Sequence, residues 1–175
     1  METAAVQLVP AEERDAGLLG NLLELYVHDL SAAFDLDVGI DGRFGYAPLA
    51  RYWREPDRRF PFLIRVGGKP AGFVLVTRGS PASPDPAHLD VAEFFVLRRY
   101  RRGGVGRQAA IRLWDQFPGH WIVRVAARNA AALPFWARVI ADYTRQPFTQ
   151  EERDVAGKRW TIFSLDSPAT PSPGG

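Results

Sequence analysis

Residues 94–107 read Phe-Phe-Val-Leu-Arg-Arg-Tyr-Arg-Arg-Gly-Gly-Val-Gly-Arg, and they carry an apolar strand into a glycine turn and then into an amphipathic helix. This junction constrains the fold more than any other stretch. Glycines let a backbone turn tightly and approach a ligand without intervening side chains. The first N–H groups of the following helix then face an arriving anion, and the helix dipole favours its charge. The junction therefore predicts a backbone cradle for a phosphate-bearing ligand. Neither a Walker ending of Gly-Lys-Ser/Thr nor a G-x-G-x-x-G turn is present. A solvated basic run of the nuclear-targeting kind is the plainer alternative, but such runs lack the patterned strand and helix that flank this one.

The basic character is local. Across 175 residues the formal net charge is only +2, so the chain as a whole is no polyanion binder. Its length predicts one domain with a real core. We place that domain at residues 1–166 and read 167–175, rich in Ser, Pro and Gly, as a disordered tail. Cysteine is absent, which excludes disulfides, thiolate metal sites and a cysteine nucleophile. Without a signal-like leader or a long apolar run, the expected location is cytoplasmic.

Hydrophobic periodicity divides the chain into strands and helices. Val6–Val9 reads as a first strand, and Pro10 to Glu13 as a helix start. Leu18, Leu19, Leu22, Leu23, Tyr26, Val27 and Leu30 mark one buried helix face. A loop over 35–46 and a short helix over 49–54 follow. Strands at 60–66 and 71–77 flank a Gly67-Gly68 hairpin turn. A central strand at 89–96, a helix at 104–117, a strand at 121–126 and a helix within 130–141 come next, with Pro134 tolerated only in a first turn or at a kink. Two last strands are expected at 143–149 and 158–165, around a turn at 151–157. This order is a mixed α/β layer fold.

Arg101-x-x-Gly104-x-Gly106, directly after a strand, resembles the pyrophosphate-binding motif of the GNAT superfamily of acyl-CoA-dependent N-acetyltransferases. Val96 and Tyr100 match the approach to that motif. Asn129, Ala132 and Trp136 match the positions that contact the cofactor's pantetheine side. Taken alone, Asn129 also suits a helix N-cap. The resemblance covers roughly residues 5–165. It implies a mostly antiparallel sheet flanked by helices, whose splayed central strand holds acetyl-CoA or another short acyl-CoA. Phe95, Val96 and Leu97 would supply strand backbone to the cofactor. Arg101, Arg102, Gly103, Gly104, Val105, Gly106 and Arg107 would form the cradle. The resemblance leaves homodimer formation open.

Acetyl transfer to an amine needs a neutral nucleophile, a polarised carbonyl and a stabilised thiolate. Glu93 interrupts the apolar run Val91–Val96, where burial would raise its pKa and suit it to general-base work. An arginine's structural partner, or an acid at a bulge meeting water, are the alternatives. Asp90 is the next candidate base, otherwise a solvated loop end. Family relatives often carry tyrosine where Trp136 stands, and an indole is not a useful acid. That leaves Tyr143 or solvent to protonate the thiolate. Tyr26, His28 and Asp29 lie on the helix that walls the acceptor pocket in the resembled fold. Phe44, Tyr46, Tyr52 and Trp53 either pack the core or form an aromatic wall for an amine. Two rival functions stay open: a catalytically silent acyl-CoA-binding module, and nucleic-acid binding through Arg98–Arg107. No metal and no membrane partner are expected, and the amine acceptor is not identified.

Overall fold

A computed structural model describes residues 5–145 and 148–168. Seven strands, β1 (Val6–Pro10), β2 (Arg59–Val66), β3 (Lys69–Arg78), β4 (Leu89–Val96), β5 (Gly119–Ala126), β6 (Thr149–Val155) and β7 (Lys158–Ser167), form one sheet. Their order is β1-β2-β3-β4-β5-β7-β6. Helices α1 (Ala16–Phe34), α2 (Arg51–Arg54), α3 (Val105–Gln116) and α4 (Leu133–Thr144) flank it. All neighbouring strands are antiparallel except the pair β4 and β5.

Alternation along β3 assigns the two faces, because successive strand residues point to opposite sides. Phe73 and Leu75 pack with Leu19, Leu22 and Leu23 of α1, together with Leu63 and Phe95. Val74 and Val76 pack on the other side with Val105, Ala109 and Leu113 of α3 and with Trp136, Val139 and Ile140 of α4. The apolar face expected for α1 is the one buried, and the helix ends at Asp35 in a left-handed conformation (φ 54°).

Strand β4 is not regular. Leu75 of β3 pairs with Glu93 and Val76 with Val91, so Ala92 is an extra residue in the ladder. A bulge of this kind bends a strand and increases its twist. The parallel pairing of β4 with β5 then covers only Leu89–Val91 against Trp121–Val123. Beyond those residues the strands part, and the β5-facing edge of 92–96 has no ladder partner. This is the splayed central strand that the sequence reading expects.

Four boundaries differ from expectation. Pro10 closes β1, opposite Phe62, instead of opening a helix; β1 is an edge strand, where a residue without N–H is tolerated. Residues 143 and 144 belong to α4, not to a strand. The late hairpin pairs β6 with β7 around Ala156-Gly157, both at positive φ, so most of the turn expected at 151–157 is strand. Ser167, assigned to the tail, is 4% exposed in β7; residues 169–175 lie outside the described residues. Among the described residues no helix is long and apolar enough to cross a membrane.

Candidate active site

The cradle begins where β4 ends. Leu97 N–H still donates to the Ala71 carbonyl at 2.8 Å, and a single 3-10 turn over Arg98–Tyr100 leads into the glycines. Among the described residues, the N–H groups of residues 102–107 donate to no backbone carbonyl and no side chain. Six adjacent free donors at a helix N-terminus form an anion site. Arg102 (φ 65°) and Gly104 (φ 77°) take left-handed conformations that turn these donors inward. At Gly106 the need is space: a Cβ would sit 3.2 Å from the Phe135 ring, against which α3 closes on α4. Gly103 has open space and no positive φ, so its missing side chain is not required by the local backbone.

The arginines of this run are more occupied than the sequence suggests. Arg101 Nε donates to the Val96 carbonyl (2.7 Å), and its Nη2 to Asp29 (2.5 Å). Arg98 donates to the same carboxylate through Nε and Nη2 at 3.2 and 2.7 Å. Asp29 on α1, expected on the acceptor side, therefore clamps the cradle arginines and is not among the residues lining the pocket at Glu93. Arg107 pairs with Asp142 at an exposed 3.2 Å, and the Arg99 guanidinium lies 5.9 Å from the Tyr100 ring centre. His28 is exposed, with its ring centre 6.3 Å from that of Phe44, and is not among the residues lining the pocket at Glu93.

Glu93 lies on the α1 face of β4, where β4 and β5 part to open a V-shaped gap. Tyr26 of α1 donates its hydroxyl to Oε2 at 2.6 Å, and Tyr46 donates to Oε1 at 3.0 Å. Desolvation pushes the Glu93 pKa up; the two tyrosine hydrogen bonds and the nearby Arg124 charge pull it down without cancelling the rise. Both tyrosines are held protonated by burial first and by the Glu93 charge second. Tyr52 beside them is pushed up to about 12 for the same reasons. A carboxylate offers about four lone-pair positions, so two tyrosine donors leave room for a further proton.

Tyr46 reaches Glu93 because its loop is anchored. Glu24 of α1 accepts the N–H groups of Phe44 and Gly45, each at 2.8 Å. Those bonds hold the Glu24 carboxyl below its ordinary pKa. Tyr26 and Tyr46 thus hold the Glu93 carboxylate, whereas Trp53 is structural, its indole donating to the Ala11 carbonyl at 3.0 Å.

Asp90 is not a loop-end acid. It is fully buried and accepts Nε and Nη2 of Arg124 on β5 at 2.8 and 2.9 Å. Ser80 also donates to it. With its oxygens occupied in this way, Asp90 is a partner for Arg124 and no longer a candidate base. Arg124 is the residue that sequence reasoning missed, although it interrupts Trp121–Ala126 as plainly as Glu93 interrupts β4.

Three cofactor-side residues remain. Asn129 follows β5 with non-helical dihedrals (φ −103°, ψ 42°), and its side chain makes no hydrogen bond among the described residues. It does not cap α4, whose N-cap is Ala132. Trp136 is 6% exposed and packs edge-on to Phe94, with ring centres 5.0 Å apart. Tyr143 stands apart from the site. Its hydroxyl donates to Asp115 at 3.0 Å and meets Ser167 at 3.2 Å, at the C-terminal ends of α3 and α4.

A seven-stranded sheet opened at one parallel pair, with an amide cradle at the splayed end and a desolvated carboxylate inside it, defines an acyl-transferase scaffold. Residues 22–140 match the family model for the acetyltransferase (GNAT) family, and the chain belongs to that family. A comparison with curated protein sequences gave no match. Solved structures are similar over nearly the whole chain. An acetyltransferase from Thermus thermophilus is 20% identical, covering 95% of this chain and 99% of its own, with a TM-score of 0.64. The ribosomal-protein-S18-alanine N-acetyltransferase from Escherichia coli is 16% identical, covers 98% and 99%, and gives 0.59. The spermidine N-acetyltransferase from Vibrio cholerae, in complex with CoA and spermine, is 12% identical, covers 93% and 95%, and gives 0.62.

Proposed function

We propose that this protein transfers an acetyl group from acetyl-CoA to a primary amine by direct attack, with Glu93 as general base. The observation that carries the proposal is the Glu93 carboxylate, desolvated, oriented by two tyrosines and lying where β4 leaves β5. The six free amides of 102–107 suit the pyrophosphate of CoA, and the unpaired edge of 92–96 suits the pantetheine amides. The Asn129 side chain, with no partner of its own and just beyond the end of β5, suits the same use. When bound, acetyl-CoA supplies the thioester carbonyl. The Vibrio relative, crystallised with CoA and spermine, supports both a CoA-type ligand and an amine acceptor for this fold.

The chain's own part in the chemistry is proton transfer and orientation. An amine is protonated at neutral pH and cannot attack until it loses a proton. Glu93, its pKa raised toward the working range, accepts that proton directly or through one water. Tyr26 and Tyr46 fix the carboxylate so that no rotamer search accompanies the step. The acyl group moves from sulfur to nitrogen, and CoA leaves as a thiolate that solvent protonates. Tyr143 is given no part.

Glu93→Gln keeps the shape and removes the base. Turnover with a reactive amine should fall about 10²-fold or more while acetyl-CoA affinity, measured by calorimetry, is unchanged. The defect should shrink at high pH, where free amine is available without help. An unchanged rate at neutral pH removes Glu93 from catalysis. Acetyl-CoA binding with no turnover of any amine by the unmodified protein would favour the catalytically silent module instead.

A further inference from the structure

The pocket in front of Glu93 encloses about 360 Å³, and Thr77, Ala92, Glu93 and Arg124 line it on the sheet side. Arg124 shares the face of the sheet that carries Glu93. Glu93 pairs with Leu75, which packs toward α1, whereas Val123 packs toward α3 and α4, so its successor Arg124 points back to the α1 side. Asp90 faces that side through its partner Thr77, and it accepts Arg124 Nε and Nη2 at 2.8 and 2.9 Å. Continuing the register that pairs Val91 with Val123 places Arg124 level with the bulged Ala92, one residue before Glu93. The two side chains therefore start from neighbouring positions, where β4 and β5 part.

The Nη1 end of Arg124 has no partner. Both bonds to Asp90 leave from the Nε–Nη2 edge of a planar guanidinium, so Nη1 is turned away from Asp90. Among the described residues the one buried side-chain nitrogen or oxygen without a hydrogen bond is Trp114 Nε1; the unpaired Nη1 is therefore accessible, and the pocket is what Arg124 lines. The rest of the side chain is fixed. It is 15% exposed, its guanidinium carbon lies 5.1 Å from the Trp160 ring centre, and Ser80 also donates to Asp90. Burial alone would lower the Arg124 pKa and raise that of Glu93; each charge counters the other's burial, so the two groups lie within electrostatic reach.

Charge selects what Nη1 donates to. Asp90 already neutralises Arg124, and the Glu93 carboxylate shares the pocket, so an anion placed between them would meet more negative than positive charge. The other arginines do not reverse this balance. Arg51 and Arg59 share Glu55, each at 2.7 Å, and the Arg78 guanidinium packs over Phe60 on the opposite face of the sheet. Arg58 reaches beside Gly79, four residues along the chain from Leu75, about 13 Å at the usual strand rise. A neutral carbonyl oxygen accepts from Nη1 without meeting repulsion, whereas an ammonium group has no lone pair to offer.

We infer that the acceptor is an α-amino amide, free or at the N-terminus of a peptide, with its amine at Glu93 and its neighbouring carbonyl oxygen on Arg124 Nη1. The inference rests on the acetyl-transfer reading of the site. Amine and carbonyl sit on adjacent carbons in such a ligand, which suits an acceptor and a donor at neighbouring positions of one pocket wall. A polyamine would leave Nη1 unmatched.

Matched amines test this without relying on turnover. Calorimetry on the protein saturated with CoA compares alaninamide with 3-methylbutan-2-amine, in which two methyl groups replace the amide oxygen and nitrogen, and with alanine and spermidine. Alaninamide should bind about tenfold or more tightly than each of the other three, the usual worth of a hydrogen bond to a charged group. Trialanine amide distinguishes the two sources: binding at least as tight as that of alaninamide supports a peptide N-terminus, and weaker binding supports a free amino amide. In Asp90→Asn/Arg124→Gln and in Arg124→Lys, which keeps a cation for Asp90 but lacks Nη1, the advantage of alaninamide over its methyl analogue should fall about tenfold. The difference in amine basicity is the same in every protein, so that fall reports Nη1 alone. Circular dichroism checks that the variants fold, and the comparison on the unmodified protein stands without them. Equal or tighter binding of 3-methylbutan-2-amine, alanine or spermidine by the unmodified protein overturns the inference, as does an advantage that survives both folded variants. Preferential binding of alaninamide without its acetylation supports this inference and counts against the acetyl-transfer reading. Acetylation of amines with no such preference does the reverse.

Discussion

Glu93 is held by opposing forces. Burial penalises its charge, yet two tyrosine hydroxyls and the Arg124 guanidinium favour that charge, and burial wins. Because the folded pKa lies above the unfolded value, Glu93 favours the fold at pH below the ordinary glutamate value of 4.5. That contribution is lost as pH rises through the folded pKa, so at neutral pH the carboxylate is a cost. Glu93→Gln should therefore raise the Tm at about pH 8, by a few degrees at most, since about 1 kcal/mol moves a domain of this size by about 2–4 °C. The gain should fade as the pH is lowered toward about 4. Scanning calorimetry across that range checks it, and a lower Tm at pH 8 would mean that the tyrosine bonds outweigh desolvation. Tyr26 is also wedged edge-on against Phe73, with ring centres 5.6 Å apart, so its orientation does not depend on the carboxylate. In the proposed role, a carboxylate held this way trades stability for a raised pKa.

At the scale of elements, glycine matters by position and not by number. Gly104→Ala should weaken acetyl-CoA binding about tenfold or more, because φ 77° is strained for alanine and relaxing it moves the cradle amides. Gly103→Ala, with open space and no positive φ, should bind as the unmodified protein does. Calorimetry with both variants decides, and equal affinity for the two would remove the backbone cradle from cofactor binding. The same logic explains what the sequence could and could not disclose. Strand β4 and helix α3 were legible because an apolar run, a glycine turn and a 3.6-residue pattern follow in order. Glu93 stood out as a charge within apolar neighbours. Tyr46 did not: its place depends on Glu24, twenty-two residues earlier in the chain, accepting two loop amides. Strand β6, Thr-Gln-Glu-Glu-Arg-Asp-Val, has no apolar alternation to announce it and exists as an edge because β7 offers a ladder. The Thr-Arg stretch after Tyr143 reads as strand by composition, but α4 buries Val139 and Ile140 and carries the helix on to Thr144. Pairing and packing from elsewhere in the chain overrode local preference in both places.

At the scale of the whole molecule, α3 and α4 run side by side in the same direction. Phe135 meets Gly106 where the helices begin, and Tyr143 meets Asp115 where they end. Nine residues of helix separate Gly106 from Asp115, about 13–14 Å, so one end of the pair lies at the amide cradle and the other does not. Size would mislead here: a cavity of about 410 Å³ lies at the far end, lined by Asp115, His120, Tyr143 and Asp166, and it exceeds the pocket before Glu93. The free amides of 102–107 and the desolvated Glu93 carboxylate both lie at the near end, which is where the proposed site falls. Tyr143 therefore belongs to the scaffold, its ring 5.0 Å from that of Trp114 and its hydroxyl bridging α3 and β7. Tyr143→Phe should leave kcat and the KM for acetyl-CoA unchanged and cost about 0.5–1.5 kcal/mol of stability, the usual worth of a lost hydrogen bond. Trp136→Phe, at the near end, should raise the KM for acetyl-CoA more than it lowers kcat, because the indole packs beside the opening of the V and has no proton to give at neutral pH. Steady-state kinetics and thermal unfolding on the two variants separate the ends of the molecule. If Tyr143→Phe instead cuts kcat by more than about tenfold while acetyl-CoA binding holds, the phenol reaches the leaving group and the assignment of that proton to solvent is wrong.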